Sequence, residues 1–155
     1  TGMEAQDMNI FNLIKKNRKG CVLVVNKWDL FTKESNTMAE YTKAVLAGRP
    51  SFHISMVIDI SPSCDCCSTN DAPILPDIGM FASFDPVALD QACVDACLAA
   101  APLPNSQLGQ NLAKPGWNCH HDHFKDSNPN IEWKATLEQA EKIGMGTRRY
   151  TLKKV

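Results

Sequence analysis

Apolar positions along this chain change period several times, and each change predicts an element. Met8, Phe11 and Ile14 recur at helical spacing, Lys15, Lys16 and Arg18 load the last turn and Gly20 can stop it, which predicts a helix over about 4–18. Residues 21–25, Cys-Val-Leu-Val-Val, form a short continuous apolar run, the pattern of a strand buried on both faces. Thr37-x-x-Glu40 reads as a capping box opening a second helix that ends at Leu46, ahead of Gly48 and Pro50. Phe52, Ile54, Met56 and Ile58 then alternate with His53, Ser55, Val57 and Asp59, which predicts a strand with one apolar and one mostly polar face. Solvent is the simplest destination for that polar face.

Residues 61–77 are rich in Pro, Cys and Asp and read as a loop, and 78–83 as a short buried strand. Asp85-Pro86 is an N-cap followed by Pro at the first helical position, opening a helix to about Ala100. Residues 102–129 carry Pro, Asn and His with little periodicity and read as one long Cys/His-bearing loop. A last helix is expected over 131–143, ended by Gly144, with a closing strand over 148–154. Strands alternating with helices predict an α/β domain: a mixed or mostly parallel sheet flanked by helices. The strands at 21–25 and 52–59, joined by a helix, are expected to form a right-handed parallel crossover in one sheet.

Composition narrows the class. The 155 residues suffice for one domain, with 44% hydrophobic and 21% charged residues, a globular balance. Sixteen Lys and Arg against 17 acids leave a net charge of −1, so nucleic-acid binding by bulk charge is excluded. No apolar run approaches the roughly 20 residues of a membrane helix, and no signal-peptide pattern opens the chain, so a cytoplasmic location is expected. The start at Thr1-Gly2, without an initiator Met, is what a fragment or processed chain would show. Seven clustered cysteines in such a chain read as reduced thiols or metal ligands before disulfides.

Asn26, Lys27 and Asp29 form an Asn-Lys-x-Asp sequence directly after the expected strand. An Asp carboxylate there can accept both N–H groups of a guanine edge, while the Lys stem lies along the base. With its flanks, the segment 2–38 resembles the guanine-motif region of the Der (EngA) family of tandem GTPases. That resemblance implies a GTPase-like leader, residues 1–38, packed onto the same sheet as the rest. GTP is not an expected ligand: the chain has no Gly-x-x-x-x-Gly-Lys-Ser/Thr loop and no Asp-x-x-Gly switch segment. Pro62, roughly where such GTPases offer a backbone N–H to guanine, has none to give.

Farther along, Met38-Ala-Glu-Tyr-Thr-Lys-Ala-Val, Phe52-His-Ile-Ser, Ile60-Ser-Pro-Ser-Cys-Asp-Cys, Asp71-Ala-Pro-Ile-Leu-Pro-Asp-Ile-Gly and Phe84-Asp-Pro-Val-Ala-Leu-Asp-Gln-Ala stand in order. They resemble the C-terminal part of domain-of-unknown-function family three-six-two, whose members are commonly described as iron–sulfur-cluster proteins. The resemblance covers residues from about 38 to 155, the region 39–155 being taken as the family's C-terminal part, and implies a metal-binding or redox-associated domain, with a ferredoxin-like electron carrier as candidate partner. The family's ferredoxin-like insert is missing, and no four-Cys spacing of known type replaces it, so an intact cluster is not expected within this chain.

Two ligand-dense stretches remain. Cys64, Cys66 and Cys67 crowd one loop; Cys119, His120, His121 and His123 crowd another. Thiolates and imidazoles are the donors Zn(II) and Fe prefer, and two ligands from each loop would close a tetrahedral site. The alternative is surface thiols and a solvated His cluster. Cys93 and Cys97, four residues apart on the expected helix, read as small core thiols.

Overall fold

The computed structural model describes residues 37–46, 48–63, 67–68 and 70–155, together with Asn12 and Lys16. The chain separates into two units, Thr1–Thr32 and Lys33–Val155, and the fold below is that of the second. The helix expected over 4–18, the strand expected over 21–25 and the parallel crossover built on it lie outside the described residues.

Helix α1 spans Thr37–Leu46, as the capping box predicts, and Gly48 follows it at φ +70°. Strand β1 (His53–Val57) pairs antiparallel with β2 (Gly79–Ser83), His53 facing Ser83 and Val57 facing Gly79. Helix α2 (Pro86–Ala99) starts as its sequence requires, with the Asp85 side chain accepting from the backbone N–H groups of Val87 and Ala88. Helix α5 (Trp133–Lys142) ends with Gly144 at φ +72°. The Gly144 N–H donates to the Glu141 carbonyl and the Met145 N–H to that of Ala140, the paired bonds of a Schellman cap.

The α/β class is therefore correct, and three details follow. First, the two described strands form an antiparallel pair, as a mixed sheet allows, while the parallel partner expected at 21–25 lies outside the described residues. Asp59, two residues after β1, takes φ +49°, and the chain comes back as β2 beside β1. The neck of the connection is closed by Ile78 N–H to Val57 O (2.9 Å), Asp59 N–H to the Asp77 carboxylate (3.0 Å) and Ile74 N–H to Ile60 O (2.7 Å). Second, 102–129 is not one loop. It contains α3 (Gln107–Ala113), capped by the Ser106 hydroxyl, and α4 (His123–Ser127), capped by Asp122. Third, no strand forms over 148–154. That segment is fastened by side chains instead: Glu141 accepts from the Arg148 N–H and guanidinium, and Asp95 accepts from the Tyr150 hydroxyl.

Helix α2 is apolar nearly all round, and such a helix must be covered on more than one side. The sheet packs on one flank; α5 packs on another and itself carries α1. Two cores result. Val57, Ile74, Leu75, Cys97 and Leu108 form one, joined by Phe81 and Phe124; Ala39, Val87, Leu137 and Ala140 form the other, joined by Val94 and Trp133. Ile74 and Leu75, each 1% exposed, plug the 61–77 loop into the first core.

The two faces of the sheet are assigned opposite to the simplest expectation. His53, Ser55 and Val57 turn toward α2, while Ile54 and Met56 stay exposed. β2 matches, with Phe81 inward and Met80 outward.

Candidate functional site

Asp122 and Asp126 organise the segment between α3 and α5. Both are buried, Asp126 to 1% exposure, and each clasps an indole. Trp117 Nε1–H donates to Asp126 at 3.2 Å, and Trp133 Nε1–H donates to Asp122 at 3.0 Å. Asp122 also caps α4 through the N–H groups of Phe124 and Lys125. Helix α4 has five residues, too short to stand alone, so tertiary bonds hold it. Asn111 Nδ2 donates to the Asp126 carbonyl and Gln107 Nε2 to that of Ser127.

The Asp126 carboxylate faces only donors. One oxygen accepts from the His120 N–H (2.8 Å), the His120 ring Nδ1 (3.1 Å) and Trp117; the other accepts from the Asp122 N–H (3.3 Å) and the Cys119 thiol (3.6 Å). Burial pushes its pKa up, but these hydrogen bonds outweigh burial and bring it down to about 2. The group is an anion at any ordinary pH, enclosed yet close to the surface.

That anion orders its neighbours. A carboxylate only accepts, so the His120 ring carries a proton on Nδ1. His123 is oriented in the same way, its Nδ1 3.0 Å from the carbonyl oxygen of Cys97. His121 takes φ +54°, an uncommon backbone for a residue with a Cβ. Its Nδ1 then lies 3.8 Å from Cys119 Sγ, and its N–H donates to the same sulfur at 3.4 Å. Cys119 is an exposed free thiol.

Of the candidates named from sequence, then, Cys119, His120 and His121 come together, and His123 is tethered separately to α2. Cys67 is an exposed free thiol whose carbonyl accepts from the Asn70 N–H. Cys64, Cys66, Asn26, Lys27 and Asp29 lie outside the described residues. Among the described residues, no three His, Cys, Asp or Glu side chains are grouped so as to hold a metal ion. One thiol beside imidazoles is not the ligand set of an iron–sulfur cluster, though it suits part of a Zn or Fe site.

A second polar group sits between β1 and α2. The Cys93 thiol bonds Ser55, and its pKa is raised by burial. Partial burial also raises the Asp90 carboxyl, the His53 ring opposing the shift. Cys97, one turn on, is buried, and burial lifts its thiol to about 11. Burial thus favours the neutral thiol at both positions, in keeping with their packing against the core.

Sequence reasoning missed Asp126 and the inward role of His53 and Ser55. Asp126 had one signal: it stands four residues after Asp122, one helical turn away, which places two carboxylates on one face of any helix opened there.

The family described as "Domain of unknown function (DUF362)" matches residues 8–95. That match begins within the segment resembling a GTPase and ends before the Cys119–His123 segment. Two curated relatives are GTPase Der of Phocaeicola vulgatus, 53% identical over 45 residues, and GTPase Der of Christiangramia forsetii, 58% identical over 40. Those alignments cover 28% and 26% of this chain and only 10% and 9% of the relatives. No solved structure matches the chain. Among the described residues, no helix is long and apolar enough to cross a membrane.

Proposed function

This chain belongs to the DUF362 family of unknown function, and we propose that it is a metal-binding, redox-associated domain in which Cys119–His123 supplies half of the site. The spacing of Cys119 and His121 carries the reading. A tetrahedral Zn(II) with bonds of about 2.3 Å to sulfur and about 2.0 Å to nitrogen holds those two atoms roughly 3.5 Å apart. Cys119 Sγ and His121 Nδ1 stand 3.8 Å apart. Asp126 supports the site by holding the backbone N–H and Nδ1 of His120, the residue between those two ligands.

The remaining ligands are assigned to Cys64 and Cys66, with Cys67 and His123 as the further donors of the two stretches. Zn(II) would make the site structural; Fe would make it redox-active, with a ferredoxin-like protein as electron partner. Elemental analysis and an absorbance spectrum of anaerobically purified protein test the proposal. About one Zn or Fe per chain is expected, falling at least tenfold in Cys119→Ser and less in His123→Ala. Metal-free protein, or metal retained in Cys119→Ser, would overturn it.

The Der likeness supports a second reading, guanine binding through Asn26, Lys27 and Asp29. Without a phosphate loop such binding would be weak. A calorimetric titration should find no submicromolar GTP or GDP affinity.

A further inference from the structure

The outer face of the two-stranded sheet carries three successive cross-strand rungs, and all are apolar. Ile54 lies opposite Ala82 and Met56 opposite Met80; one step beyond the ladder, the Phe52 and Phe84 rings meet at 4.9 Å between centroids. None of the six is charged, and the five large side chains are 54% to 79% exposed. The opposite face packs on α2, so among the described residues the exposed face has no second layer over it.

We infer that this face docks on a second copy of the same chain, forming a symmetric dimer. An uncharged apolar surface needs no charge complement, and its own copy offers the same rungs across a two-fold axis. Area supports that occupant. With roughly 150–200 Å² per large side chain, the exposed fractions amount to roughly 600 Å² per copy, or about 1,200 Å² for the pair. That total reaches the lower limit of specific interfaces, so the dimer is reversible, with a Kd in the micromolar range. Aligned sheets would stack about 10 Å apart, a gap that Met56, Met80 and the two Phe side chains can fill.

The test is sedimentation velocity of the whole chain over a concentration series spanning the micromolar range. Ile54→Lys and Met80→Lys each place a charge in the interface and are expected to raise Kd at least tenfold, while Met80→Leu leaves it within about twofold. Circular dichroism and urea midpoints close to wild type confirm that the variants fold, since neither side chain contributes to either core. Wild-type hydrogen exchange gives an independent reading: protection over 52–57 and 79–84 should rise with concentration. Three outcomes would overturn the inference. One is a monomer with this face open at all concentrations. Another is a monomer whose face is protected independently of concentration, meaning that another part of the chain covers it. The last is a dimer indifferent to both Lys variants.

Discussion

Replacing Asp126 by Asn removes the charge on which five donors converge while preserving the side chain's shape. An amide can accept at one oxygen only. With its oxygen facing Trp117 and His120, its NH2 meets the Asp122 N–H, donor against donor. Hydrogen bonds to a charged acceptor contribute about 1.5–3 kcal/mol against about 1 for a neutral one, so the variant should lose about 3 kcal/mol near neutral pH. Proton linkage gives a separate signature. The native carboxyl titrates at about 2 rather than the ordinary 3.8, so its ionised form favours the folded state. That contribution is full above the unfolded value and disappears as pH falls through the folded one, a loss of about 2 kcal/mol between about pH 4 and pH 2. Urea unfolding of both proteins at a series of pH values isolates this group, because every other acid cancels in the difference. The stability gap should narrow by about 2 kcal/mol in the acid window. A gap below about 0.5 kcal/mol at neutrality, or one that does not change with pH, would refute the assignment of Asp126 as the anchor of the Cys119–His123 segment.

Two other substitutions probe the scaffold. Asp85→Ala removes the cap of α2 and the acceptor for the Thr147 N–H together, and should cost about 2–3 kcal/mol in urea unfolding, more than a cap alone. Gly109→Ala would set a Cβ 2.4 Å from the Leu103 carbonyl oxygen and 2.5 Å from that of Pro104. Backbone cannot yield as a side-chain tip can, so thermal unfolding should show a loss of about 2 kcal/mol or more.

Local chemistry alone determined several elements. Thr37–Leu46 spans the range its pattern predicts, Pro86–Ala99 begins where Asp85 caps it, and Gly144 ends α5 because a Schellman cap needs a positive φ there. The helices of 107–113 and 123–127 were hidden because they are too short for apolar periodicity. Their signals were the caps Ser106 and Asp122, and 123–127 is held by Asn111 and Gln107 of the preceding helix and by two indoles that bond Asp122 and Asp126. Alternation over 52–58 likewise determined that β1 has two unlike faces, but a period of two carries no information about which face meets a helix. Tertiary structure decided that. The loop secured by Ile74, Leu75 and the Asp59–Asp77 bond set β2 beside β1, and α2 then covered the face bearing His53 and Ser55, where Asp90 and Cys93 supply polar partners. The apolar side was left outward because side-chain pattern fixes only the difference between faces, whereas loop geometry and the next helix choose the one that is buried.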